Sequence, residues 1–346
     1  MIRIQNIYYM LAYAFQVLNE QGYKNIATEE FDNTAELCAA ILVRGISTQV
    51  KRGLGKEYIP QIEDLSSLRG KLDISESIKT QTFLKKQMIC SYDDFSVNSV
   101  MNQIIKSTVF ILLKGDISKS RKKELRKLMV FFEDVDVIDL YSVNWNMQYN
   151  RNNQTYRMLI SICYLVFKGL LQTQSDGTTK LMDFLDEQRM HRLYEKFILE
   201  YYRKEHPELT ANASQIPWQL DDDFGDMLPV MQTDIMLTKD EKTLIIDAKY
   251  YAHTTQRQYD NNTLHSGNLY QIFTYVKNKE VELTEQPHKV AGMLLYARTD
   301  EEIYPEKEYK MSGNQIGVRT LNLDGDFDMI KNQLDEIAEK YFGEVA

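Results

Sequence analysis

Apolar residues recur at three- and four-residue spacing in several stretches of the chain, and each such stretch predicts a helix with one buried face. Ile4, Ile7, Leu11, Ala14, Phe15 and Leu18 mark the first, over residues 4–19. A second is expected over Thr34–Gln49, with Asn33 placed to cap it. Val100, Ile104, Ile105, Val109, Leu112 and Leu113 predict a third, over about Asn98–Lys114. The run LISICYLVF predicts a fourth, over Thr155–Leu171, apolar on several sides. Between the second and third the periodicity changes. EYIPQIEDL, RGKLDIS and QMICSYDDFS, within residues 57–96, read as short strands and turns of a small β region, of partial-barrel type.

The polar, Gly-containing stretch Gln172–Lys180 interrupts this pattern and is the natural place for a domain boundary. The expected division is 1–175, helices plus a small β region, and 176–346. In the second part the pattern predicts a helix over Asp183–Lys204 and strands around Gln215–Leu220 and Leu228–Leu237. A polar loop over Tyr251–Leu264, a helix over Ser266–Val276, a buried strand at Val290–Tyr296 and a closing helix over Asp326–Phe342 follow. The fold class is α/β, or α+β over the whole chain.

The segment Met231–Tyr251 carries the chemistry. Two apolar strands, Asp234–Leu237 and Thr243–Ile246, flank the polar link Thr238–Lys242, which is the pattern of a β-hairpin. Residues i and i+2 of a strand share a face, so Asp247 and Lys249 project together while Ala248 turns away. Pairing around the link lets Asp234 approach that same face. Carboxylates gathered at the end of an apolar sheet are costly unless a cation holds them. Magnesium, which takes hard oxygen ligands and one or two protein carboxylates, suits such a pair. A neighbouring lysine is placed to hold a water or to offset charge on a phosphate.

Composition narrows the class. The chain has 346 residues, 43% hydrophobic and 26% charged, with 15 Gly and 6 Pro, which fits two globular domains without long disordered linkers. Cys38, Cys90 and Cys163 are far apart and lack metal-ligand spacing, so a reduced, cytoplasmic protein is expected. The apolar start is too short and polar to span a membrane. Net charge is −9, and it is uneven: residues 1–150 hold 19 Lys and Arg against 18 Asp and Glu, whereas the remainder holds 22 against 32. The half with the carboxylates is therefore the acidic one, which is poorly suited to tight unaided DNA binding. The basic run Lys119–Lys127 reads as a solvated helix face or as a contact to nucleic acid or an acidic partner. Gly53-Leu54-Gly55-Lys56 lacks phosphate-loop spacing, and the chain has no Walker A sequence, G-x-S-x-G elbow or H-E-x-x-H zinc motif.

Asp234 followed by Asp247-Ala248-Lys249 resembles the PD-(D/E)xK nuclease core, with Thr233 standing where the family name has proline. Gln271 and Tyr275, one loop later and four residues apart on one helix face, resemble the Q-x-x-x-Y element of nucleases related to the RecB group, which touches DNA. Over nearly its full length the chain resembles the McrC family, nuclease subunits of McrBC-type 5-methylcytosine restriction systems. RIQNIYYMLAYAFQ, KRGLGKEYIP, LRGKLDI, MNQIIKSTVFILLK, PVMQTDIMLTKDEKTLIIDAKYY and GNLYQIFTY carry the resemblance.

The resemblance implies a restriction-endonuclease-like core at the C-terminal end and an N-terminal domain that contacts a McrB-like AAA+ GTPase ring and stimulates it. It makes Asp234, Asp247 and Lys249 catalytic. It assigns one or two Mg²⁺ to Asp234, Asp247 and the Ala248 carbonyl, with Glu195 either a further acid near the metal or a salt-bridging surface glutamate, and gives Gln271 and Tyr275 a supporting, DNA-facing role. GTP would belong to the partner, and the substrate would be double-stranded methylated DNA. Two other readings stay open: a stand-alone nuclease of repair or recombination, and a non-catalytic activator of a ring NTPase.

Overall fold

A computed structural model describes residues 2–15, 18, 26, 29, 31–149, 154–169, 187–222, 224–250, 255–258, 261–298 and 304–343. The chain divides into two compact units, Asp32–Asp183 and a second that joins Met1–Phe31 to Phe184–Ala346. The division expected at residue 175 therefore needs one amendment, because the first helix folds with the C-terminal part.

Helix α1 (Ile4–Ala14) buries Tyr8, Met10 and Leu11 and packs on α7 (Glu187–Glu205). Asn6 Nδ2 donates to the carbonyls of Leu323 and Gly325, both at 2.8 Å, and Tyr13 OH donates to Glu205 at 2.7 Å. These bonds to positions about 200 and 300 residues away are invisible to local pattern. They explain why an N-terminal helix belongs to the C-terminal unit.

The unit Asp32–Asp183 begins with α2 (Thr34–Arg52), capped by the Asn33 side chain as expected. Strands β1 (Glu57–Leu65), β2 (Lys71–Leu72) and β3 (Met88–Ser96) follow, with α3 (Ile74–Lys79) between the last two. They form an open antiparallel sheet in the order β1-β3-β2, not a partial barrel. The unit continues with α4 (Val100–Lys114), α5 (Lys119–Met129) and α6 (Gln154–Gly169). Helix α2 packs on α4, α5 and α6. The proposed linker 172–180 lies outside the described residues.

After α7 come the short strands β4 (Thr210–Asn212), β5 (Gln215–Ile216) and β6 (Met231–Gln232), then β7 (Ile235–Lys239) and β8 (Lys242–Lys249). Strands β9 (Thr255–Gln258) and β10 (Asn261–Leu264) form a hairpin where a loop was expected. The remaining elements are α8 (Ser266–Glu282), β11 (Lys289–Ala297), β12 (Lys307–Met311), β13 (Asn314–Leu321) and α9 (Phe327–Phe342). A six-stranded mixed sheet runs β12-β13-β11-β8-β7-β4. Strand β11 is parallel to both β8 and β13, and the other pairs are antiparallel. Helix α8 makes the crossover between parallel β8 and β11 and packs on both. This is the expected α/β class, with two added strands, β12 and β13. Among the described residues no helix is long and apolar enough to cross a membrane.

Candidate active site

Strands β7 and β8 join through Asp240 and Glu241 alone, and Asp240 takes the left-handed conformation (φ 52°) that such tight hairpin turns require. This is tighter than the five-residue link expected. The short turn fixes the register: Ile235 opposes Ile246, Leu237 opposes Leu244 and Lys239 opposes Lys242. Extending it by one residue sets Asp234 across from Asp247. The ladder ends there, and the Asp234 carboxylate takes over as acceptor, receiving the Ala248 N–H at 2.9 Å. A strand residue presents its N–H and C=O on the same edge. The Ala248 carbonyl therefore faces the Asp234 side.

Ile245, Asp247 and Lys249 share the face of β8 covered by α8. Strand β8 is buried from Thr243 to Lys249, so this aspartate and lysine sit in a central, covered strand, at 1% and 6% exposure. Lys249 Nζ lies 3.0 Å from Asp247 Oδ1 and 2.9 Å from Oδ2. Only the first contact has hydrogen-bond geometry, and Oδ2 is a buried oxygen that receives no hydrogen bond. Burial pushes the Asp247 carboxyl well above the usual carboxylate range. Lys249 pulls it down, and the charge of Asp234 pushes it up again. A carboxylate raised by burial beside a second carboxylate and a lysine is a candidate for a functional group.

Helix α8 supplies the next shell of contacts. Lys249 Nζ donates to Gln271 Oε1 at 3.3 Å, and Gln271 Nε2 donates to Tyr275 OH at 2.9 Å. Tyr275 OH in turn donates to the Gln232 carbonyl at 3.1 Å, next to the start of β7. One relay thus runs from the lysine to α8 and back to the backbone at the end of β6, two residues before Asp234. Gly292 on β11 lets α8 lie this close: a Cβ there would meet Ile272 and Val276 side-chain carbons at 2.8 Å. Gly292 was not among the expected site residues, and an isolated glycine inside an apolar strand is the signal that points to it.

Glu195 stands on α7, which packs on β7 and β8. Its carboxyl is raised to about 7, chiefly by burial and then by the charge of Asp234, with Lys249 opposing and Asp247 adding. It therefore shares the electrostatic environment of the pair. Its carboxyl lies 3.2 Å from Nε2 of His191, one helical turn away, a neighbour that the H-x-x-x-E spacing could have flagged. Among the described residues no three His, Cys, Asp or Glu side chains gather as a ready metal-ligand set. The donors that fit a magnesium ion are the two aspartates and the Ala248 carbonyl, the small protein share that this ion takes while keeping water and phosphate ligands.

Residues 4–297 match the family model described as McrBC 5-methylcytosine restriction system component. The chain belongs to this family. It is 29% identical over 346 residues to the type IV methyl-directed restriction enzyme EcoKMcrBC of Escherichia coli K12, covering 98% of each chain. Among solved structures, it is similar to a chain of the Thermococcus gammatolerans half-complex of McrB AAA+ hexamers with bound McrC. That match has 17% identity and a TM-score of 0.47, over 94% of this chain and 75% of the other. A second structure, of the McrBC complex of the same organism, gives 20% identity and a TM-score of 0.41, over 58% of each chain.

Proposed function

We propose that this chain is the Mg²⁺-dependent DNA endonuclease subunit of a modification-dependent restriction complex. It cuts double-stranded methylated DNA when assembled with a McrB-like AAA+ GTPase, and it stimulates the GTPase of that partner. The observation that carries this reading is the buried Asp247–Lys249 pair on a central strand, with Asp234 fixed across from it, in a chain of the McrBC family. The acidic charge of the half containing the site, and the absence of a nucleotide loop in the sequence, agree with a subunit that relies on a partner for DNA and GTP. The unit Asp32–Asp183 takes the partner-binding role, and the complex works in the cytoplasm.

Asp234, Asp247 and the Ala248 carbonyl are the groups that would hold Mg²⁺. The ion, when bound, supplies positive charge beside the scissile phosphate and lowers the pKa of water. Lys249 positions the attacking water and offsets charge that builds on the phosphate oxygens. Gln271 keeps the ammonium aimed, and Tyr275 anchors Gln271 to the backbone at Gln232. Water attacks phosphorus in line, and the P–O3′ bond breaks.

The test is cleavage of methylated duplex DNA by the purified chain with Mg²⁺, with and without the ring partner and GTP. Cutting is expected only in the full mixture. Asp247→Ala should abolish it while leaving partner binding and GTPase stimulation intact. Cutting by the chain alone would instead establish a stand-alone nuclease, and full activity of the variant would remove Asp247 from the chemistry.

A further inference from the structure

Helix α5 presents a face that does nothing for the fold. Leu125 is fully buried, and Arg121 turns inward to Glu36, 3.5 Å away on α2, and to Glu124 at 3.1 Å. Ser118 caps the helix through the Arg121 N–H and is itself held by Glu36, so the element is firmly seated. On the exposed side of the helix stand Lys119, Lys123, Arg126 and Lys127, with Lys122 half-buried at the edge nearer Leu125. Among the described residues none of these five makes an ion pair. The only acid in the helix, Glu124, is already taken by Arg121.

This arrangement is costly by ordinary helix physics. The first turn holds no acid but carries Lys119, Arg121 and Lys122 at the positive end of the helix dipole. Lys119 and Lys123, Lys123 and Lys127, and Lys122 and Arg126 are like charges four residues apart, each pair mildly destabilising. A local conflict of this kind, kept on a well-anchored helix, marks a binding face. The charge distribution shows what it binds. Asp32–Asp183 holds 21 Lys and Arg against 17 Asp and Glu, a net of +4, while the rest of the chain is at −13. Helix α5 alone contributes +5, so the whole excess comes from it.

We infer that the exposed face of α5 binds the phosphate backbone of duplex DNA, independently of its sequence. This deepens the proposed function and rests on it, since it supplies the phosphate neutralisation that the acidic nuclease unit lacks. Protein interfaces have apolar cores and are depleted in lysine. The α5 face is a row of cations spread over about 12 Å of helix, which suits phosphates rather than a protein surface.

The experiment uses the full-length chain and equilibrium binding to duplex DNA, without divalent metal, over a range of salt. The variant Lys119→Gln/Lys123→Gln/Arg126→Gln/Lys127→Gln should bind more weakly, with the slope of log K against log salt shallower by about 3 to 4. Replacing the three lysines by arginine should keep the wild-type slope. The glutamine variant should melt no lower than wild type, because the like-charge conflict is relieved. An unchanged slope overturns the inference, and so does a variant that keeps DNA affinity but no longer joins the ring partner, which would make the face a protein-docking surface. Salt-dependent binding that needs α5, without cleavage in any mixture, would sink the nuclease reading alone.

Discussion

Strands β8 and β1 are of nearly equal length, and they differ in what covers them. From Thr243 onward every residue of β8 is buried, with neighbouring strands on both sides and α8 packed on it. No residue of β1 is fully buried, and Tyr58 and Ile62 are 72% and 73% exposed. On β8 the charged residues need explaining, and the proposed function is what would account for Asp247 and Lys249. On β1 the apolar residues need explaining, because the open sheet leaves them in solvent. That sheet is held by its nine-residue ladder to β3 and by cross-strand contacts such as Tyr58 with Phe95, whose ring centres are 4.9 Å apart. The same residue type therefore carries opposite information in the two sheets.

The sharpest way to break this comparison is to truncate an isoleucine in each. Ile245 is fully buried beneath α8, and Ile245→Ala should cost about 2–5 kcal/mol. Ile62→Ala should stay within about 0.5 kcal/mol of wild type. Denaturant unfolding of both variants gives the numbers. A similar loss in the two would mean that β1 is covered in solution and that the contrast is false.

A smaller effect is expected where α8 meets the sheet. Gly292→Ala places a Cβ against Ile272, Val276 and Ile316 side chains at 2.8–3.0 Å, and over-packing of this kind costs about 1–3 kcal/mol. Because α8 carries Gln271 and Tyr275, its displacement should also lower cleavage more than the stability loss accounts for. Activity at wild-type level in a stably folded variant would show that the Lys249–Gln271–Tyr275 relay tolerates movement.

The grouping of the candidate site residues was legible because its parts are local. Asp234, Asp247 and Lys249 lie on one hairpin, and Gln271 and Tyr275 are one helical turn apart, so strand and helix periodicity alone place each set. The helices were legible for the same reason. What stayed hidden depends on distant partners. Asn6 reaches Leu323 and Gly325, which moves α1 into the other unit. Strands β12 and β13 were not anticipated, because β12 is mostly polar and β13 takes its place only by pairing with β11. The electrostatic reach of Glu195 into the site also needs the packing of α7 on β8, which no spacing in the sequence encodes.

The smallest predicted effect concerns pH, and it separates a metal site from a merely buried ion pair. Glu195 is raised from 4.5 to about 7, and Asp247 is raised in the same direction, so the folded protein holds these protons longer than the unfolded chain does. Stability from this source is fully present below about pH 4.5 and is lost as pH rises through about 7. The metal-free protein should therefore melt lower as pH rises across that window, and Glu195→Gln should flatten the decline. Divalent cations need the ionised carboxylates, so Mg²⁺ should restore more stability at about pH 8 than at about pH 6. Thermal unfolding with chelator and with Mg²⁺ at the two pH values measures both trends. The same decline with no rescue by Mg²⁺ would leave Asp247 and Lys249 as a structural pair. Strand β8 would then be a covered strand that tolerates charge, not one built around it.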